Sequence, residues 1–357
     1  MGNHIFIGLD VHARTVRAAA LDADTGELRQ AGFTAAKDPL INWCLSFPGP
    51  ASVVYEAGPT GFGLARALSE AGLEVTVAAP SKLPVEPGDR VKTDKRDAIK
   101  LARWLAAGIV TPVWIPDVAT EAARDLYRCR EDIQLAGKAA SMRLTHFLLR
   151  HDLVWDKTAW TREHMAWLRH QRFDQGQDVF DEYLEIKVES MTRLARVEQL
   201  INQEAALPRW AGVVAALKCL RGIDTLTGYG LAVEIGDWQR LAPNSVGAYL
   251  GLVPCEYSSG QTRHQGSITK TGNEHVRRLL VEAAWNHART YRADSPKLVR
   301  AFAAVPAPIA ARADYANRAL KRDWDNFKLR KQRSVVAAIA IARELAGYCR
   351  DLAVMTC

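Results

Sequence analysis

Ile5-Phe-Ile-Gly-Leu-Asp-Val11 and Ser52-Val-Val-Tyr-Glu56 decide how the first third of this chain folds. Each is a short, nearly continuous apolar run, the pattern of a strand covered on both faces. Each also carries a carboxylate near its end, Asp10 and Glu56, where burial is costly unless the charge is paired or holds a metal. Working outward, Val16-Arg-Ala-Ala-Ala-Leu21 and residues 28–34 follow the first run across turns containing His12-Ala-Arg14 and Asp22-Ala-Asp-Thr-Gly26. Three antiparallel strands in a meander are the natural result. A helical segment over 39–47, the strand ending at Glu56, a helix over 61–71 and a strand over 74–78 come next. Strands alternating with helices after a meander predict a mixed sheet whose later strands run parallel to the first. Strand one and the strand ending at Glu56 are then neighbours, so their carboxylates converge at one sheet edge.

From about Asp94 the pattern turns helical. Residues 119–152 place Leu126, Ile133, Leu144, Phe147 and Leu148 among many charges, and residues 178–204 do the same with Phe180, Leu184, Val188, Met191, Leu194, Val197 and Ile201. That spacing is close to a heptad stripe, which two long helices bury by folding back on each other or by pairing with another subunit. The stretch between them carries Trp155, Trp160 and Trp167 and reads as a packed helical connection, with a base-stacking surface as the alternative. A third section starts near Pro208. Its residues 217–232 contain Gly222, Gly228 and Gly230 and resemble helices joined by a Gly-containing turn, which is either an element that offers backbone N–H groups to phosphate or a plain helical hairpin. The fold class is therefore α/β plus all-α.

The charge balance is uneven along the chain. The total is +7, yet residues 258–350 alone hold 18 Lys and Arg against 7 Asp and Glu, leaving the remainder acidic. A surplus confined to one quarter suits either a solvated helical face or a phosphate-binding one. The six cysteines are scattered without CxxC pairs or nearby His at zinc-ligand spacing, so neither a structural zinc site nor a disulfide framework is expected. No apolar run approaches a membrane span, and a cytoplasmic protein with no membrane partner is expected.

Two constellations can carry chemistry. Lys92-Thr-Asp-Lys-Arg-Asp97 places Asp94 and Asp97 three residues apart, on one face at the start of a helix. Taken singly, Asp94 is a helix N-cap and Asp97 a solvated first-turn acid. Together with Asp10 and Glu56 they form an oxygen-rich set that would repel itself without divalent cations, and Mg²⁺ or Mn²⁺ suits it. Such ions polarise phosphodiesters. The second constellation is Tyr257-Ser-Ser-Gly260, followed by Lys270-Thr-Gly-Asn273 and Arg277-Arg278. An exposed hydroxyl beside glycines and cations is suited to attack phosphorus, whereas on composition alone the segment reads as a flexible polar loop. Basic residues from Lys321 to Arg333, including Lys328, Arg330 and Lys331, form either a solvated helix or a nucleic-acid contact.

Gly8-Leu-Asp-Val-His12, Val54-Tyr-Glu-Ala-Gly58, Lys92-Thr-Asp-Lys-Arg-Asp97, Val233-Glu-Ile-Gly-Asp237 and Ser259-Gly260 with Lys270-Thr-Gly-Asn273 occur in the order found in one family. The chain resembles the DEDD insertion-sequence transposases guided by a structured bridge RNA, departing from them in Ala13, where a basic residue commonly follows the His. The resemblance implies a RuvC-like, ribonuclease-H-type domain over 1–115, a helical coiled-coil region over 116–207 and a mainly helical C-terminal transposase domain over 208–357. It also implies Mg²⁺ on Asp10, Glu56, Asp94 and Asp97, and a serine nucleophile at Ser259, with Ser258 as an adjacent rival. Donor and target DNA, a non-coding guide RNA and a homo-oligomer, dimer or tetramer, are the implied partners. In such enzymes serine and acids come together across subunits. Lys270, Arg277, Arg278, Lys328, Arg330 and Lys331 are candidate nucleic-acid contacts. Two rival functions stand beside this one: a RuvC-like structure-specific endonuclease using the same acids with water as nucleophile, and a catalytically silent nucleic-acid-binding scaffold whose acids are structural.

Overall fold

The computed structural model describes residues 4–34, 36–84, 94–256 and 265–356, with residues 94 and 95 as backbone alone. The chain divides into two compact units, Met1–Asp117 and Val118–Cys357. No described helix is long and apolar enough to cross a membrane.

The first unit is built on a five-stranded sheet. Its strands are β1 (Ile5–Val11), β2 (Thr15–Asp22), β3 (Leu28–Thr34), β4 (Ala51–Glu56) and β5 (Glu74–Ala78), in the order β3-β2-β1-β4-β5. β1 pairs antiparallel with β2 and β2 with β3, while β4 lies parallel to both β1 and β5. This is the mixed sheet that the sequence predicts. Helix α1 (Lys37–Leu45) connects β3 to β4, and α2 (Gly63–Glu70) connects β4 to β5. Both pack on one sheet face, where Ile5, Ile7, Leu9, Val53, Tyr55 and Val77 meet Leu40, Cys44, Ala65 and Leu68.

The opposite face is covered by α3 (Asp94–Ala106), whose Leu101 packs with Val54 and Ala78. The approach of α3 is unusually close because its landing site has almost no side chains. Gly8 pairs across the sheet with Ala19, and a Cβ on Gly8 would collide with the Ala98 carbonyl oxygen and crowd the Ala102 amide. Those obstacles are backbone, so they cannot swing aside.

The second unit is helical. Helix α4 (Val118–Arg150) and α6 (Gln177–Ala205) form an antiparallel hairpin, closed at its tip by α5 (Arg162–Arg169). Arg130 reaches Glu198 at 2.7 Å, Gly137 faces Ser190, and Phe147 packs on Phe180, so the pairing runs in steady opposite register. The Trp-bearing connection is packed, as one of its two readings expects. Trp155 stacks on His164 with centroids 5.0 Å apart, and Trp160 donates its backbone N–H to His164 Nδ1.

A larger core follows, formed by α7 (Pro208–Leu217), α8 (Thr225–Ile235), the short α9 (Val246–Tyr249), α10 (Glu274–Ala284), α11 (Pro296–Ala303), α12 (Ala307–Leu329) and α13 (Ser334–Val354). Between α9 and α10 stands a two-stranded hairpin, β6 (Pro254–Glu256) and β7 (Gln265–Ile268), paired antiparallel. An ionic network around two buried carboxylates fastens α4 to this core. Arg128 makes a two-pronged ion pair with Glu234 of α8 at 2.7 and 2.9 Å, and Arg124 donates to the Val233 and Glu234 carbonyl oxygens at the end of that helix. Glu131 in turn binds His275 and Arg278 of α10.

Two outcomes follow from these contacts. Gly8→Ala is expected to lower stability by about 1–3 kcal/mol, the usual range for overpacking a rigid site, whereas Ala19→Gly should act through lost burial and the greater freedom of the unfolded chain, without any clash. Chemical denaturation of the two variants checks this. The second outcome is a pH dependence. The hydrogen bond to Glu131 raises the His275 pKa. A group that binds its proton more tightly when folded stabilises fully below its ordinary value of about 6.5 and loses that contribution as pH rises through the raised value. The thermal midpoint should therefore decline as pH rises above about 6.5, and His275→Gln should flatten that part of the curve.

Candidate active site

The strand register puts Asp10 and Glu56 side by side. Leu9 pairs with Tyr55, so the next position along both strands brings the two acids together. In parallel pairing, matched residues share a face. Leu9 and Tyr55 point into the α1–α2 core, and Gly8 and Val54 lie under α3. Asp10 and Glu56 continue the α3 face. The Asp10 carboxylate is partly exposed and lies 3.1 Å from His12 Nε2, an exposed imidazole two residues on. Glu56 is exposed. The turn that follows it is held by the Ala57 N–H on the Ala78 carbonyl at 2.9 Å and by the Tyr55 hydroxyl on the Gly61 carbonyl at 3.4 Å.

Asp97 stands in the first turn of α3, immediately before Ala98, whose carbonyl oxygen overlies Gly8. Gly8 is two residues from Asp10, so the glycine that admits α3 also sets Asp97 against the strand carrying the first acid. Asp94 opens the same helix, and its side chain lies outside the described residues. Among the described residues, no three His, Cys, Asp or Glu side chains gather tightly enough to ligate one ion. The donor set is nevertheless purely carboxylate, drawn from two adjacent strand ends and a helix start, and fits a hard cation that accepts oxygen ligands.

Ser258 and Ser259 also lie outside the described residues, as does the rest of 257–264. The frame on both sides of them is well defined. Gly251 has φ +65° and Gly272 φ +71°. A Cβ on the first would strike the Thr271 backbone, and one on the second the Tyr249 carbonyl oxygen. These glycines interlock the two feet of the β6–β7 hairpin. The Asn273 Oδ1 caps α10 by accepting the Val276 N–H at 3.1 Å, while its Nδ2 donates to Glu234 Oε2 at 2.7 Å. Burial pushes the Glu234 carboxyl up, but the Arg128 guanidinium and this amide outweigh it and hold the group below the usual carboxylate range.

The candidate nucleic-acid residues fall into two sets. Arg277 donates to the Leu250 and Thr271 carbonyl oxygens at 3.0 and 2.9 Å, and Arg278 is paired with Glu131 and Glu282. Both guanidiniums have partners within the fold. Lys270 is exposed beside the hairpin with φ +55°, and Lys328, Arg330 and Lys331 are exposed at the end of α12. No described acidic group pairs with any of these four.

The network that Arg128 and His275 form around the buried carboxylates Glu131 and Glu234 was not anticipated. Glu234 carried the one available signal: it is a single acid inside the otherwise apolar run Leu231-Ala-Val-Glu-Ile235, the same anomaly that marks Asp10. Its partner lies 106 residues away and left no trace in spacing.

Comparison with known proteins agrees with this architecture. Residues 7–152 match the IS110-type DEDD transposase profile, and residues 214–300 match the transposase IS116/IS110/IS902 family. Putative transposase y4qE of Sinorhizobium fredii is 38% identical over 352 residues, covering 96% of this chain and 87% of that protein. The transposase for insertion sequence element IS1533 of Leptospira borgpetersenii is 28% identical over 346 residues, covering 93% and 99%. With a five-stranded mixed sheet carrying paired acids and similarity that extends over nearly its whole length, the chain belongs to the IS110 family of DEDD transposases.

Proposed function

We propose that this transposase moves its element by a serine-mediated exchange of DNA strands, with target choice delegated to a structured guide RNA. The observation that supports the chemistry best is the side-by-side placement of Asp10 and Glu56 at the ends of parallel strands, with Asp97 on the helix seated over Gly8 of the first of them. Asp10, Glu56, Asp94 and Asp97 would hold Mg²⁺, and Mn²⁺ would substitute. When bound, the cation neutralises the carboxylates and polarises the phosphodiester.

The chain's own groups then perform the transfer. The Ser259 hydroxyl oxygen forms a bond to phosphorus as one P–O bond of the DNA strand breaks. The hydroxyl proton passes to the departing deoxyribose oxygen, and the strand remains joined to the protein as a phosphoserine ester. A hydroxyl of the second strand attacks that ester, and Ser259 regains its proton. No phosphate is lost, and the bond energy is kept in the ester between the two steps. The interlocked Gly251 and Gly272 and the Asn273–Glu234 contact give the segment carrying Ser259 a rigid base, which limits the entropy lost in orienting its hydroxyl.

The RNA part of the proposal rests on the shared motif order and on the positive surplus of the last quarter. Base pairing reads sequence in such systems, so the protein needs only backbone and shape contacts. Lys270, Lys328, Arg330 and Lys331 are available for them. A multimer, dimer or tetramer, is the proposed active form, as the resemblance implies.

Denaturing electrophoresis of the full-length protein with a labelled element end and its guide RNA tests the nucleophile. A covalent protein–DNA adduct is expected with the unaltered chain and with Ser258→Ala, and none with Ser259→Ala. Retention of cleavage in Ser259→Ala would instead identify water as the nucleophile, as in a structure-specific endonuclease. Asp97→Asn should slow adduct formation by about 10²–10³-fold, the scale for removing one stabiliser of developing charge. Unchanged rates would leave the acids a structural role only.

A further inference from the structure

The Gly-containing turn between α7 and α8 forms one wall of a cavity of about 390 Å³, and the segment joining α10 to α11 forms the other. Five cations line it, Lys218 and Arg221 from the turn and Arg289, Arg292 and Lys297 from the facing segment, against a single carboxylate, Asp224. That carboxylate is already occupied as the N-cap of α8, accepting the Thr227 N–H at 2.8 Å. Lys218, Arg289 and Lys297 have no acidic partner among the described residues. Concentrating that much like charge costs stability unless an anion enters.

The cavity is also rigid, which a simple solvated patch would not require. Gly222 has φ +85°, and a Cβ there would collide with the Ala283 carbonyl oxygen, so the turn is seated against the end of α10. Asn317, fully buried on α12, clamps the turn at two points: its Oδ1 accepts the Arg221 N–H and its Nδ2 donates to the Cys219 carbonyl, each at 2.9 Å. Arg221 is in turn anchored by donating to the Arg289 carbonyl oxygen at 3.0 Å and lies over the Tyr291 ring. The neighbouring His287 adds no charge. It is fully buried with neither ring nitrogen hydrogen-bonded, and burial together with Arg221 pushes its pKa down to about 3. Leu220 and Leu298 at the cavity are both buried, so it presents cations and polar groups, not an apolar surface for a protein partner.

We infer that this cavity is a clamp for the phosphodiester backbone of DNA, built from other residues than the acids and the serine. The inference rests on the transposase assignment only in taking DNA as the ligand, and it holds whichever nucleophile performs the transfer. Contacts of this kind fix the register of a duplex without reading its bases, so they act equally on every sequence.

The test uses the full-length chain and a fluorescein-labelled DNA duplex, with Kd measured by anisotropy across a series of KCl concentrations. The variant Lys218→Gln/Arg289→Gln/Lys297→Gln should bind at least tenfold more weakly at low salt. Its slope of log affinity against log salt should be shallower by about 2–3, since each phosphate contact contributes roughly 0.9. The loss should be the same for duplexes of unrelated sequence. Lys218→Arg/Lys297→Arg keeps the charge and should bind as the unaltered chain does. Circular dichroism melting identifies any variant that fails to fold, and Arg289→Gln alone, at an exposed site, then supplies the smaller shift of about one unit of slope. An unchanged slope overturns the inference. So does a loss seen with an RNA stem-loop but not with DNA, which would make the cavity an RNA site. If the triple variant loses DNA while Ser259→Ala retains cleavage, the clamp stands and the serine mechanism fails. If the triple variant binds normally while Ser259→Ala loses its adduct, the reverse holds.

Discussion

The close approach of α3 to the middle of β1 is the constraint on which the first unit depends. A strand that meets a helix with no side chain between them must have its register and the helix's depth fixed together, because the contacts are backbone on both sides. Gly8 meets that demand, and Ala19 extends the clearing onto β2. The consequence reaches the chemistry directly. With β4 in register against β1, the two strand-end acids become neighbours, and with α3 seated on Gly8 the first turn bearing Asp97 is held against the same strand. Like charges placed together by so stiff a frame cannot relax apart, and a divalent cation is the natural way to neutralise them.

In the second unit the equivalent constraint is ionic. A buried carboxylate with only one partner would be destabilising, yet Glu234 receives Arg128 through two hydrogen bonds and Asn273 through a third. That triple contact joins α4, α8 and the start of α10, and the last of these forms one foot of the hairpin bearing Ser259. The segment proposed to carry the nucleophile is thus framed by a fully satisfied polar network, which favours a single arrangement over several near-equal ones.

Much of this fold was legible in the residues. Apolar runs broken by the turns at 12–14 and 22–26 pointed to the meander, and the helical spacing that begins near Asp94 pointed to α3, α4 and α6. What spacing could not show was partnership over long separations. Arg277 and Arg278 read as candidate phosphate contacts from sequence, and the fold adds partners that spacing did not show, the Thr271 carbonyl for the first and Glu131, 147 residues away, for the second. Gly251 and Gly272 serve the approach of one loop to the other, a use that their spacing alone did not reveal. Conversely, the helical turn at Gly222 was read as a phosphate-presenting element from sequence, but its five cations come from two segments separated by about seventy residues and only folding unites them.

The central claim is that the acids of the first unit act as one cation site. Mn²⁺ added to the full-length protein and followed by electron paramagnetic resonance, which loses intensity as the free ion is bound, measures this without any DNA chemistry. Saturable binding is predicted for the unaltered chain, competed by Mg²⁺ and strongly weakened in Asp10→Asn and in Glu56→Gln alike. Equal Mn²⁺ binding by all three proteins would contradict the account.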